Sequence, residues 1–101
     1  MEKQPTRIAV IGIIVEDPSS VEKLNATLHN YSSYILGRMG IPYREKNVSI
    51  ISIVMDAPAN EISALSGKLG MMPGVSTKTV YSKITSEPPH TTDKGGSGSN
   101  Q

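Results

Sequence analysis

Two stretches of the chain, Ile8–Val15 and Val48–Met55, are apolar on both faces of the strands they predict. Side chains on a strand alternate with period two. Ile8, Val10 and Ile14 therefore point one way, and Ile11, Ile13 and Val15 the other. In the second run Val48, Ile50 and Val54 share a face, opposite Ile51, Ile53 and Met55. A sheet with one face in water alternates apolar with polar positions. These two strands need cover on both sides.

Helical spacing appears twice. Val21, Leu24, Leu28 and Tyr31 form one apolar stripe, and Ile62, Leu65 and Leu69 form another. The first helix follows the strand Thr6–Glu16 and runs to about Tyr31. Asp17 can be its N-cap with Pro18 at the first helical position, while Ser19 with Glu22 offers a competing capping box. Ser33–Gly40 is a weaker strand whose two glycines and arginine mark an edge position. Ile41–Asn47, with Pro42 and the cluster Arg44-Glu45-Lys46, reads as a hairpin connection to the strand Val48–Asp56. Ala57-Pro58 opens the second helix, which runs to about Leu69 with Gly70 as its stop. Met71–Gly74 is a turn, and Val75–Ile84 is the last strand.

This order predicts an α+β, ferredoxin-like βαββαβ sandwich: a four-stranded antiparallel sheet with both helices on one face. Residues 6–85 make one domain, residues 1–5 a flexible N-terminus, and residues 86–101, rich in Pro, Gly, Ser and Thr, a disordered tail. The topology puts the first and third strands in the centre, which suits the two most apolar runs. The sheet face without helices then meets a second copy, as a homodimer or homotetramer. Ile11, Ile13, Ile51 and Ile53 are the expected interface residues.

Composition narrows the chemistry. The 101-residue chain has no cysteine, which excludes disulfides, thiolate catalysis, iron–sulfur ligation and zinc ribbons within it. The net charge is +1, with no basic arm or face for phosphate contacts, so no direct DNA binding is expected. No apolar run approaches the ~20 residues of a membrane helix, and the start lacks a signal-peptide shape. A cytoplasmic protein without membrane contact is expected. Tyr is the only aromatic residue type, so the core is aliphatic.

No set of residues reads as catalytic. Glu16, Asp17, Asp56 and Glu61 are carboxylates near strand ends without the spacing of an acid/base pair, and Ser66 has no neighbouring base. His29 shares a helix face with Glu22 and Asn25, too few ligands for a transition metal. Gly67–Gly74 follows a helix C-terminus, where carbonyls point outward, so it reads as a stop and turn and not as a phosphate cradle. Lys68 there can neutralise those carbonyls. Arg38, Arg44 and Lys46 beside Glu45 are either a solvated hairpin tip or a basic site for a nucleotide or acidic metabolite.

Leu28-His29-Asn30-Tyr31-Ser32, then Arg38-Met39-Gly40-Ile41-Pro42-Tyr43-Arg44-Glu45, then Ala64-Leu65-Ser66-Gly67-Lys68-Leu69-Gly70 with Pro73-Gly74-Val75 and Lys78, resemble one small family. It is the family of iron-only hydrogenase system regulators, and the resemblance covers about residues 6–83. That family is similar to ACT domains and to the C-terminal domain of the nickel-responsive repressor, which oligomerise and sense small ligands. The resemblance implies an ACT-like domain; since the residues show no catalytic set, no enzyme and no cofactor are expected. It would act as a homo-oligomeric regulator through a small metabolite or a hydrogenase-system protein; the alternative is an adaptor that binds protein and no metabolite. Two features depart from the relatives. The turn Asp17-Pro18-Ser19 lacks the glycine that lets an amino acid approach an ACT backbone. The histidines, cysteine and N-terminal DNA-binding arm of the nickel repressor have no counterparts, so no metal site carries over. The expected ligand cleft lies where the Glu16–Ser20 turn approaches a neighbouring subunit, with Glu16, Asp17, Ser19, Ser20, His29 and Arg38 as candidate ligand-binding residues.

Overall fold

A computed structural model describes residues 4–85. The expectations for residues 1–3 and for the C-terminal tail lie outside the described residues. The elements follow the predicted order: β1 (Arg7–Val15), α1 (Val21–Asn30), β2 (Ile35–Tyr43), β3 (Val48–Ala57), α2 (Ala59–Gly70) and β4 (Val75–Thr85). The sheet order is β2-β3-β1-β4, with every neighbouring pair antiparallel. This is the ferredoxin-like α+β sandwich, with β1 and β3 central.

The helices cover one face of the sheet. Ala9, Ile11, Ile13 and Val15 of β1 and Ile51, Ile53, Met55 and Ala57 of β3 point toward them. Leu24 and Leu28 of α1, Tyr31 just after it, and Ile62, Leu65 and Leu69 of α2 close the other side of this core. Each aliphatic side chain buried there contributes about 1.5–3 kcal/mol. The two helices are also joined by Lys68, whose Nζ donates to Tyr31 Oη at 2.9 Å and lies 5.1 Å from the ring centroid. That contact occupies the lysine expected at the helix carbonyls.

This placement corrects the expected interface. Ile11 and Ile53 are 0% exposed, Ile13 1% and Ile51 7%, so all four are interior residues of a single chain. The opposite face carries Ile8, Val10, Ile14 and Ile50, all exposed. The reason is polarity. Between Arg7 at one end and Ser49 at the other, the covered parity of β1 and β3 is wholly apolar, whereas the open parity has Gly12, Ser52 and Asp56 within it. Helices settle on the face that returns more apolar burial.

Three boundaries also differ. Ser32–Tyr34 forms a 3-10 turn with Tyr34 N donating to Tyr31 O at 2.9 Å, so β2 starts at Ile35 and not at Ser33. The strand then runs through Pro42 to Tyr43, beyond the predicted Gly40. An edge strand tolerates Pro42 because one side of it makes no ladder bonds. Asn47 closes the hairpin in the left-handed region at φ 56°, a conformation that Asn adopts readily. The helix stop differs as well. Gly70 is the last residue of α2 and Met71 stays right-handed, so no left-handed glycine cap forms there. Positive φ falls instead on Gly74, in the turn before β4.

Among the described residues no helix is long and apolar enough to cross a membrane.

Candidate functional site

At one end of the sheet a small cleft opens between the β1–α1 turn and the β2–β3 hairpin. Its volume is about 140 Å³. Val15, Pro18 and Val21 form one wall; Pro42, Tyr43, Arg44, Asn47, Val48 and Ser49 form the other. Local chemistry sets both walls. Asp17 caps the 3-10 turn Pro18–Ser20, its Oδ1 accepting from Ser19 N at 2.9 Å and from Ser19 Oγ at 2.7 Å. The competing capping box does not form, since Ser20 is the N-cap of α1 without a side-chain cap bond. On the hairpin, Tyr43 Oη donates to Glu45 Oε1 at 2.7 Å. The carboxylate holds the Tyr43 phenol above its usual pKa.

The β1–α1 turn is fastened to the turn that follows α2. Glu16 N donates to Gly74 O at 2.7 Å, and the buried Ser20 donates through Oγ to Pro73 O at 2.7 Å. Glu16, Asp17, Ser19 and Ser20 thus come together, as a turn satisfied by its own chain. Arg38 lies apart on β2, where Nη2 donates to Asn25 Oδ1 of α1 at 3.0 Å. His29 is exposed on α1. These candidates do not converge on one cleft, and none of them lines the cavity described above. The residues that do line it flank them in sequence. The charge cluster beside Pro42 was the signal for Arg44; nothing local in the sequence pointed to Asn47 or Ser49. Ser66 meets only other hydroxyls, Thr77 Oγ1 at 3.3 Å and Thr79 Oγ1 at 3.2 Å, with no base. Among the described residues no group of three or more His, Cys, Asp or Glu is placed to hold a metal ion.

The bonds from Ser19, the side-chain bond first, hold the Asp17 carboxyl below its ordinary value. The lowered folded pKa means that Asp17 supports the fold above its unfolded pKa. That support fades as pH falls through the folded one. In an NMR titration Asp17 should titrate below a free aspartate, and Ser19→Ala should move its midpoint back up. An unchanged midpoint in that variant would remove Ser19 as the cause.

The fold and its end-of-sheet cleft define a small α+β domain of the ferredoxin-like class, without an assembled catalytic group among the described residues. The family model "TM1266-like: Iron-only hydrogenase system regulator, putative" matches residues 7–79, and the chain belongs to that family. Among solved structures, it is similar to that of the uncharacterized protein TM1266 from Thermotoga maritima. The two share 42% identity with a TM-score of 0.74, over 77% of this chain and 99% of that one. No curated protein matches the chain.

Proposed function

We propose that this chain is a cytoplasmic, non-enzymatic regulator in the iron-only hydrogenase system, working as a homodimer whose copies meet through their open sheet faces. The family supports the regulatory role. The open face carries the oligomeric one. Its rows run across the sheet as Ile41–Ile50–Ile14 and Val54–Val10–Val80, with Ile8, Met39 and Tyr43 around them. Val54 is half-buried, and the others range in exposure from 38% at Val10 to 67% at Val80.

Together the exposed apolar side chains offer on the order of 700–800 Å², close to the roughly 800 Å² each partner gives to a standard interface. The largest apolar patch on a monomer is about 300–600 Å². Gly12 at the centre of β1 supports close approach. Glycine within a strand costs roughly 0.5–1 kcal/mol relative to alanine, yet the nearest atom to its missing Cβ is Lys78 O, at 4.0 Å. A glycine that its own chain does not require often marks the approach of another backbone. A self-complementary face of this kind closes on a two-fold axis. A ligand or protein partner that prefers one packing of the two copies shifts the population toward it.

Light scattering at tens of micromolar tests the assembly. The expected mass is that of a dimer, or of a tetramer built from dimers. A monomer would overturn the reading.

A further inference from the structure

We infer that the cleft between the β1–α1 turn and the β2–β3 hairpin takes a short aliphatic carboxylate that lacks an α-ammonium group. This goes beyond the sheet-face assembly and does not depend on it. Size comes first. The cavity is about 140 Å³, and an aliphatic cavity of about 150 Å³ holds benzene. An apolar body of about six carbons is the scale that fits.

The walls choose the rest. Val15, Pro18, Val21, Pro42 and Val48 give apolar contact to the body. Arg44 is the one cation on the lining, and no Asp or Glu lines it. Its guanidinium has no hydrogen bond or ion pair with any described residue. Of the four acids that flank lining residues in sequence, Glu45 accepts from Tyr43 Oη, Asp17 accepts from Ser19, and Glu16 and Glu22 are exposed and off the lining. An arginine fork beside apolar walls matches a carboxylate head on an aliphatic chain. An α-amino acid fits worse, because its ammonium would leave water with no carboxylate to receive it. The same lining therefore separates a plain carboxylate from an amino acid of equal length.

Hexanoate, 1-hexanol and norleucine test this as a matched set, by amide shifts in NMR titrations of the intact chain. Hexanoate should move the amides of Val21, Arg44, Asn47 and Ser49. It should bind at least about tenfold tighter than 1-hexanol or norleucine, the scale of one charge-assisted hydrogen bond. Arg44 is exposed, so Arg44→Gln should keep the fold and bring hexanoate down to the level of 1-hexanol. Three results would overturn the inference: no shifts at these amides with tens of millimolar hexanoate, equal binding of all three probes, or unchanged hexanoate binding in Arg44→Gln. Mass is measured separately. A dimer that ignores hexanoate ends this inference and spares the assembly, and a monomer that binds it does the reverse.

Discussion

A carboxylate in place of Ile50 should leave the chain folded and make it monomeric, whereas the same carboxylate in place of Ile53 should unfold it. The two residues are three apart on β3 and differ in face. Ile50 is 41% exposed and sits between Ile14 and Ile41 on the open side. Ile53 is 0% exposed, opposite Ile11 in the core under the helices. Removing a buried isoleucine alone costs about 2–5 kcal/mol, and burying an unpaired ionised group adds to that. Domains of this size have only about 5–15 kcal/mol in total, so Ile53→Asp exhausts most or all of it. At Ile50 the change within one chain is the loss of strand propensity, on a scale of about 1 kcal/mol. Across a two-fold interface it places two like charges in an apolar contact. Circular dichroism and light scattering separate the outcomes. A folded dimer of Ile50→Asp would reject the open face as the interface, and a fully stable Ile53→Asp would contradict the assignment of the core.

Gly74→Ala should be among the most destabilising single-methyl changes in the protein. Gly74 has φ +68°, and a Cβ built there would stand 2.6 Å from Asp17 Cβ and 2.8 Å from Asp17 N. Neither Asp17 atom can rotate away, because one is backbone and the other is fixed to it. Alanine at positive φ costs on the order of 1 kcal/mol, and the clash forces the β1–α1 turn off its seat. That displacement strains the Glu16 N bond to Gly74 O and the Ser20 bond to Pro73 O, both 2.7 Å. We expect a loss of about 2–4 kcal/mol in urea unfolding, in the range of backbone and packing defects combined. Amide shifts should concentrate in Asp17–Val21. A change below about 0.5 kcal/mol, the scale of neutral surface substitutions, would show that the two turns are not wedged together. Because Pro18 and Val21 wall the cleft, hexanoate binding should weaken in the same variant.

The pattern of the chain determined the element order, the helix stripes, the central place of β1 and β3 and the edge position of β2. These follow from period and local chemistry, which act within a few residues: alternation along Ile8–Val15, the stripe Leu24–Leu28–Tyr31, Asp17 as a cap. Alternation also divided each central strand correctly into two apolar sets. It carries no sign, however, and so could not say which set the helices would cover. That choice depended on Gly12, Ser52 and Asp56 lining up across strands, a register only the sheet creates. The candidate site was legible only in part. The Glu16–Ser20 turn was found, but its role depends on Pro73 and Gly74, more than fifty residues away. The cleft depends on Pro18 and Val21 meeting Arg44 and Asn47 across the end of the sheet. Local propensity determined which segments are strands and helices. Packing between distant segments decided which face is open and where the cleft lies, because those properties belong to surfaces that exist only once the segments meet.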